Sequence, residues 1–68
     1  MNITSHILGH VNALLSSGYR YDSHENNDSY FIVKLCKSDT NRYTFVLLKS
    51  QHRLIVYKNN VVKYEKAY

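Results

Sequence analysis

The chain has 68 residues, with nine Lys and Arg against five Asp and Glu, a formal net charge of +4, one cysteine and no proline. So short a chain makes one domain, residues 1–68, near the lower limit for independent folding, and a lone Cys36 excludes an intrachain disulfide as support. No apolar run reaches the length of a membrane span and no basic segment precedes an apolar one at the N-terminus, so a soluble, intracellular, cytoplasmic protein is expected, with no membrane partner.

Residues 3–16 place Ile3, Ile7, Leu8, Val11, Leu14 and Leu15 on one stripe of a helix, about 140° wide at roughly 100° per residue. Asn2 is suited to cap its start, and Gly18 stands where a left-handed C-terminal cap is wanted. Gly9 on the polar side weakens the helix by about 1 kcal/mol relative to Ala, so the helix needs its apolar face docked.

Beyond Gly18, the alternation Tyr19-Arg20-Tyr21-Asp22 predicts a short strand, and His24 to Asp28 a polar turn. Tyr30 to Lys37 and Arg42 to Lys49 predict strands joined through a turn at residues 38–41. Arg53 to Lys58 and Val61 to Lys66 flank Asn59-Asn60, a pair that tolerates the positive φ of a type I′ hairpin turn. The fold expected is α+β: an N-terminal helix packed on a four- or five-stranded antiparallel sheet, a meander.

The turns set a predicted register. A four-residue turn puts Phe31, Val33, Leu35, Val46 and Leu48 on one face of the central hairpin, with Tyr30, Ile32, Cys36, Tyr43, Phe45 and Leu47 on the other. In the last hairpin Tyr57 pairs with Val62 and Ile55 with Tyr64. Both faces of the central hairpin are then apolar, and one helix covers one face. Tyr30, Ile32, Tyr43, Phe45 and Leu47 are thus expected to form an interface with a protein partner or with a second copy in a homodimer.

Charge is segregated along the chain. Residues 1–28 hold Arg20 against Asp22, Glu25 and Asp28, a net of −2, while residues 29–68 hold eight cations against Asp39 and Glu65, a net of +6. The basic part is also the strand-forming part and carries Tyr30, Tyr43, Tyr57 and Tyr64. Lys34, Arg42, Arg53, Lys58 and Lys63 are therefore the residues an alternative role, nucleic-acid binding, would use, through released counterions and stacked tyrosines. No RNP-type aromatic strand accompanies them.

Chemistry-bearing constellations are weak. His6 and His10 stand at i and i+4, but no second ligand pair accompanies them, so no metal site is expected. Ser23-His24-Glu25 are consecutive, which does not assemble a triad, and Asp22, Glu25 and Asp28 lack EF-hand spacing. Neither a phosphate loop nor a dinucleotide fingerprint is present, and no catalytic residue or cofactor is expected. His52-Arg53-Leu54-Ile55-Val56-Tyr57, with Tyr68, resembles the C-terminal strands of RelE/YoeB-type ribosome-dependent ribonuclease toxins. That resemblance spans only these residues, the chain lacks the family's first strand and second helix, and it would implicate Arg53 and Tyr68. The residues themselves favour a small non-enzymatic protein-interaction module, an accessory regulator or inhibitor acting through an apolar and basic sheet surface.

Overall fold

A helix, α1 (Ile3–Ser16), leads into five strands: β1 (Arg20–Asn26), β2 (Tyr30–Ser38), β3 (Asn41–Leu48), β4 (Arg53–Lys58) and β5 (Val61–Ala67). The computed structural model describes the backbone of residues 3–67 and the side chains of residues 7–67; the proposed cap Asn2, the side chains of Ile3 and His6, and Tyr68 lie outside the described residues. The strands pair in chain order, β1-β2-β3-β4-β5, every neighbour antiparallel. The α+β meander read from the sequence is the fold observed.

The helix ends as its glycine requires. Gly18 has φ +98°, its N–H donates to Leu15 O at 3.1 Å, and the Tyr19 N–H donates to Leu14 O at 3.0 Å. These are the two bonds of a Schellman cap, which satisfy carbonyls otherwise orphaned at a helix end. The chain then reverses directly into β1.

α1 docks on a narrower stripe than its apolar residues outline. Ile7 is buried and Val11 and Leu14 are half-buried against the sheet, whereas Leu8 and Leu15 are exposed. The position that completes the docked face is His10. Its Nε2 lies 3.0 Å from the Tyr64 hydroxyl and its ring centroid 6.0 Å from that of Phe45. A histidine bonded to a tyrosine across the helix–sheet junction replaces the extra leucine that periodicity alone supplies.

The core sits between helix and sheet: Ile7, Val33, Leu35, Tyr43, Phe45, Leu47, Leu54 and Val56. Its strand residues reveal a register one residue away from the predicted one. Ser38 pairs with Asn41, but Cys36 pairs with Arg42, so Lys37 is a bulge residue. An extra residue on one strand turns every later side chain of the partner to the other face. Val33 therefore opposes Phe45 and Leu35 opposes Tyr43, all facing the helix, while Val46 and Leu48 join Ile32 and Tyr30 on the far face.

The same device recurs in the last hairpin. Asn59 and Asn60 take φ of 53° and 66°, the double positive φ of the expected turn, and Tyr57 pairs with Val62. Past that point Val56 pairs with Tyr64 and Ile55 with Glu65, which leaves Lys63 as the bulge. Tyr64 consequently faces the helix, where it meets His10. A third irregularity at Asp22 lets β1 run through Ser23 to Asn26, where a polar turn was expected. Polar side chains do not stop this strand because it is an edge with no cover to bury them.

Asn59 also ties two turns together. Its Oδ1 accepts from the Arg42 N–H at 2.9 Å and its Nδ2 donates to Thr40 O at 2.7 Å. Asn59→Gly keeps the φ and removes only these bonds, so it should cost about 1–3 kcal/mol in urea denaturation. Asn60→Gly, with no such bonds recorded, should stay within about 0.5 kcal/mol.

Candidate interaction surface

Once the bulges have sorted the side chains, no other element among the described residues covers the face of the sheet turned away from α1. Pairing lays it out in cross-strand rows. The central row runs Glu25, Ile32, Val46, Ile55, Glu65: three aliphatic residues closed at each end by a carboxylate. Beside it run Ser23, Lys34, Thr44, Tyr57 and Val62, and then Arg20, Cys36 and Arg42. On the other side lie Tyr30, Leu48 and Arg53.

Ile32, Val46, Leu48 and Ile55 are half-buried here, because neighbouring side chains on a twisted sheet shield each other, while Val62 at the edge is exposed. The basic end is hollowed by a depression of about 420 Å³ lined by Asp22, Lys34, Cys36, Arg42, Thr44 and Tyr57, among others. Two of the cations are already engaged. Arg53 pairs with Glu65, and Arg42 Nη2 lies 3.4 Å from the Asp39 carboxylate, an exposed contact that holds little energy. Arg20 and Lys34 have no carboxylate partner among the described ion pairs.

The five residues expected to form one interface are thus split by the register. Tyr30 and Ile32 lie on the open face, while Tyr43, Phe45 and Leu47 are buried under the helix and cannot reach a partner without unfolding. Val46, Ile55, Leu48 and Tyr57 take their places. The bulge at Lys37 is what alternation could not reveal, since a period of two is blind to an inserted residue.

The five cations suggested for nucleic acid divide as well. Lys34, Arg42 and Arg53 have open-face register positions. Lys58 and Lys63 gather instead around the Tyr43 ring, their Nζ atoms 5.7 and 5.0 Å from its centroid, and Lys63 Nζ donates to the Tyr43 hydroxyl at 2.8 Å. The tyrosines are similarly committed. Tyr43 is buried, Tyr64 bonds His10, and the Tyr30 hydroxyl donates to Glu25 at 3.0 Å. Of the four strand tyrosines in the basic part, Tyr57 alone remains on the open face without such a bond recorded.

Other sequence candidates are placed apart. Among the described residues no three His, Cys, Asp or Glu side chains gather in a way that could hold a metal, and His10 is turned to Tyr64. His24 bonds the Tyr21 hydroxyl. Arg53, implicated by the toxin resemblance, faces Glu65.

Burial pushes the Tyr64 phenol above its ordinary value near 10, against a smaller opposing pull from Lys63. The protonated phenol is favoured in the folded chain, so its contribution is complete below pH 10 and is lost as pH rises through the higher folded value. Tyr64→Phe should flatten this alkaline decline relative to the parent chain, and should cost about 0.5–1.5 kcal/mol at neutral pH. Melting curves from pH 7 to 11 check both.

No known family model matches the chain, and neither a curated protein nor a solved structure does. No helix among the described residues is long and apolar enough to cross a membrane.

Proposed function

We propose that this chain is a small non-enzymatic protein-interaction module, an accessory regulator or inhibitor that works in the cytoplasm through the open face of its sheet. One observation carries the reading: Ile32, Val46 and Ile55 form a contiguous aliphatic row that none of the described residues covers. An apolar strip rimmed by polar groups is the usual surface of a protein contact. Its charges indicate the partner's chemistry. Arg20, Lys34, Arg42 and Arg53 outnumber Asp22, Glu25 and Glu65 by one on this face, so a partner with an aliphatic centre and carboxylates around it is favoured. A symmetric pairing of two open faces would instead bring their excess cations together.

Nucleic acid fits this surface less well. Its cations are divided between two sides of the sheet, and most of the tyrosines that would stack on bases are engaged within the fold. Affinity capture from cells that express the chain tests the reading, run with and without nuclease. A protein retained by the parent chain, lost with Ile32→Thr and Val46→Thr, and unaffected by nuclease supports it. Capture that survives both substitutions, or that nuclease abolishes together with a steep salt dependence, would overturn it in favour of another surface or of nucleic acid.

A further inference from the structure

We propose that Tyr43, Lys58 and Lys63 form a binding site for a phosphate monoester, on the helix side of the sheet and independent of the open face. Lys58 stands directly across from Tyr43 in the β3–β4 pairing, so their side chains share a face. Lys63 joins them because it is the bulge residue of β5. It reaches Tyr43 while its neighbour Tyr64 reaches His10, so two successive residues lie on one side of the sheet, which regular alternation forbids.

The two amines meet Tyr43 in different ways. Lys58 Nζ lies 5.7 Å from the ring centroid. Lys63 Nζ lies 5.0 Å from that centroid but only 2.8 Å from the hydroxyl oxygen, to which it donates. Tyr43 is 8% exposed, and its own hydroxyl proton meets no acceptor among the described residues. The phenol proton and the remaining protons of both ammonium groups thus converge as donors, with no acceptor between them.

Among the described residues no carboxylate neutralises this cluster. The ion pairs join Arg42 to Asp39 and Arg53 to Glu65, and neither lysine takes part. Glu25 and Glu65 belong to the open face by register, and Asp22 lines the depression there. Asp22 and Glu25 also lie in β1, at the edge of the sheet farthest from β5. The negative end of α1 is occupied as well, since the carbonyls of Ala13, Leu14 and Leu15 accept from the N–H groups of Ser17, Gly18 and Tyr19. A third amine adds to the excess: Lys37 Nζ stands 5.9 Å from the centre of the Tyr19 ring, which meets Tyr43 edge-on at 5.4 Å. One cation satisfies one ring; two ammonium groups at a single phenol repel each other, and a shared anion offsets that repulsion.

The chemistry of the donors selects the anion. A phosphate monoester carries a charge of about −1.5 to −2 at neutral pH and three strong acceptor oxygens, enough to engage both amines and the phenol together. A phosphodiester carries a single charge and leaves one amine unmatched, so a nucleic-acid backbone fits this cluster poorly. A small phosphate ester and a phosphorylated side chain of a partner protein present the same group.

Amide chemical-shift titration of the full chain at matched ionic strength is the test, with methyl phosphate, dimethyl phosphate and a short phosphoserine peptide as probes. With methyl phosphate, the amides of Tyr43, Lys58 and Lys63 should shift and saturate at concentrations on the order of 1–10 mM. Dimethyl phosphate should produce no saturable shift. Lys63→Gln and Tyr43→Phe keep the stem and the ring, and each, once verified as folded by circular dichroism, should bind at least about tenfold more weakly. Lys34→Gln, on the open face, should bind like the parent. Equal affinity for methyl phosphate and the peptide assigns the site to the phosphate group alone, and tighter peptide binding assigns it to a phosphorylated partner; both support the proposal. No saturable shift with either monoester, the same response to dimethyl phosphate, or equal weakening by Lys34→Gln and Lys63→Gln would overturn it.

Discussion

Phe45→Asp is expected to abolish folding, and Ile32→Thr to leave the fold intact while removing partner capture. Phe45 is 2% exposed, packed among Val33, Val56 and the His10 ring. An ionised carboxylate placed there has no partner and no water, and its desolvation exceeds the few kcal/mol that hold so small a domain together. Ile32 lies on the opposite face, half-buried and open to solvent. Threonine keeps its β-branch and strand preference while breaking the aliphatic row with a hydroxyl. The sequence pattern places the two residues on one face, so the pair of variants distinguishes the bulged register from the regular one. Far-ultraviolet dichroism together with capture reads the result. Like effects of the two on folding, both folded or both unfolded, would restore the unbulged pairing.

Leu54→Ala should come next in effect, a loss of about 2–5 kcal/mol. Leu54 is fully buried at the middle of the core, opposite Leu47, with no exposed edge along which the cavity could be rehydrated or refilled. Domains of this size rarely hold more than about 3–5 kcal/mol in total, so the variant should be largely unfolded at 37 °C. Leu8→Ala is the matched control: the same truncation at an exposed helix position, within about 0.5 kcal/mol of the parent, with alanine's helix preference offsetting lost contacts. Urea denaturation measures both. Equal losses at the two sites would mean that α1 docks through the full apolar stripe.

Local features of this fold are legible in its sequence, and long-range pairing is legible only up to the first bulge. Gly18 and the Asn59-Asn60 pair announce their conformations because few other residues adopt positive φ at low cost, and both behave as expected. The boundaries of β2 to β5 follow from β-branched and aromatic runs to within a residue, whereas polar β1 runs on to Asn26 through a segment expected to turn. The two apolar faces of the central hairpin are real, which is why an uncovered face could be anticipated at all. Its membership could not. Lys37 and Lys63 are ordinary strand residues with no glycine to mark them, and each reassigns every residue beyond it. Moving Tyr43, Phe45 and Leu47 into the core places Val46, Ile55 and Tyr57 on the surface instead. His10 was hidden for a different reason: its burial depends on a tyrosine that the second bulge turns toward it, 54 residues away. Charge segregation was visible from the start, yet its spatial meaning required the strand order, which sets β1 and β5 at opposite edges.

The most direct measurement of the open face in use is site-specific photo-crosslinking in cells that express the chain. A photoreactive lysine analogue that keeps its charge is placed at Lys34, beside the aliphatic row, and in a second variant at Asn12, on the exposed side of α1. A discrete protein adduct is expected from position 34, insensitive to nuclease, with none of that mass from position 12. Equal adducts from both positions, none from position 34, or an adduct that nuclease destroys would contradict it.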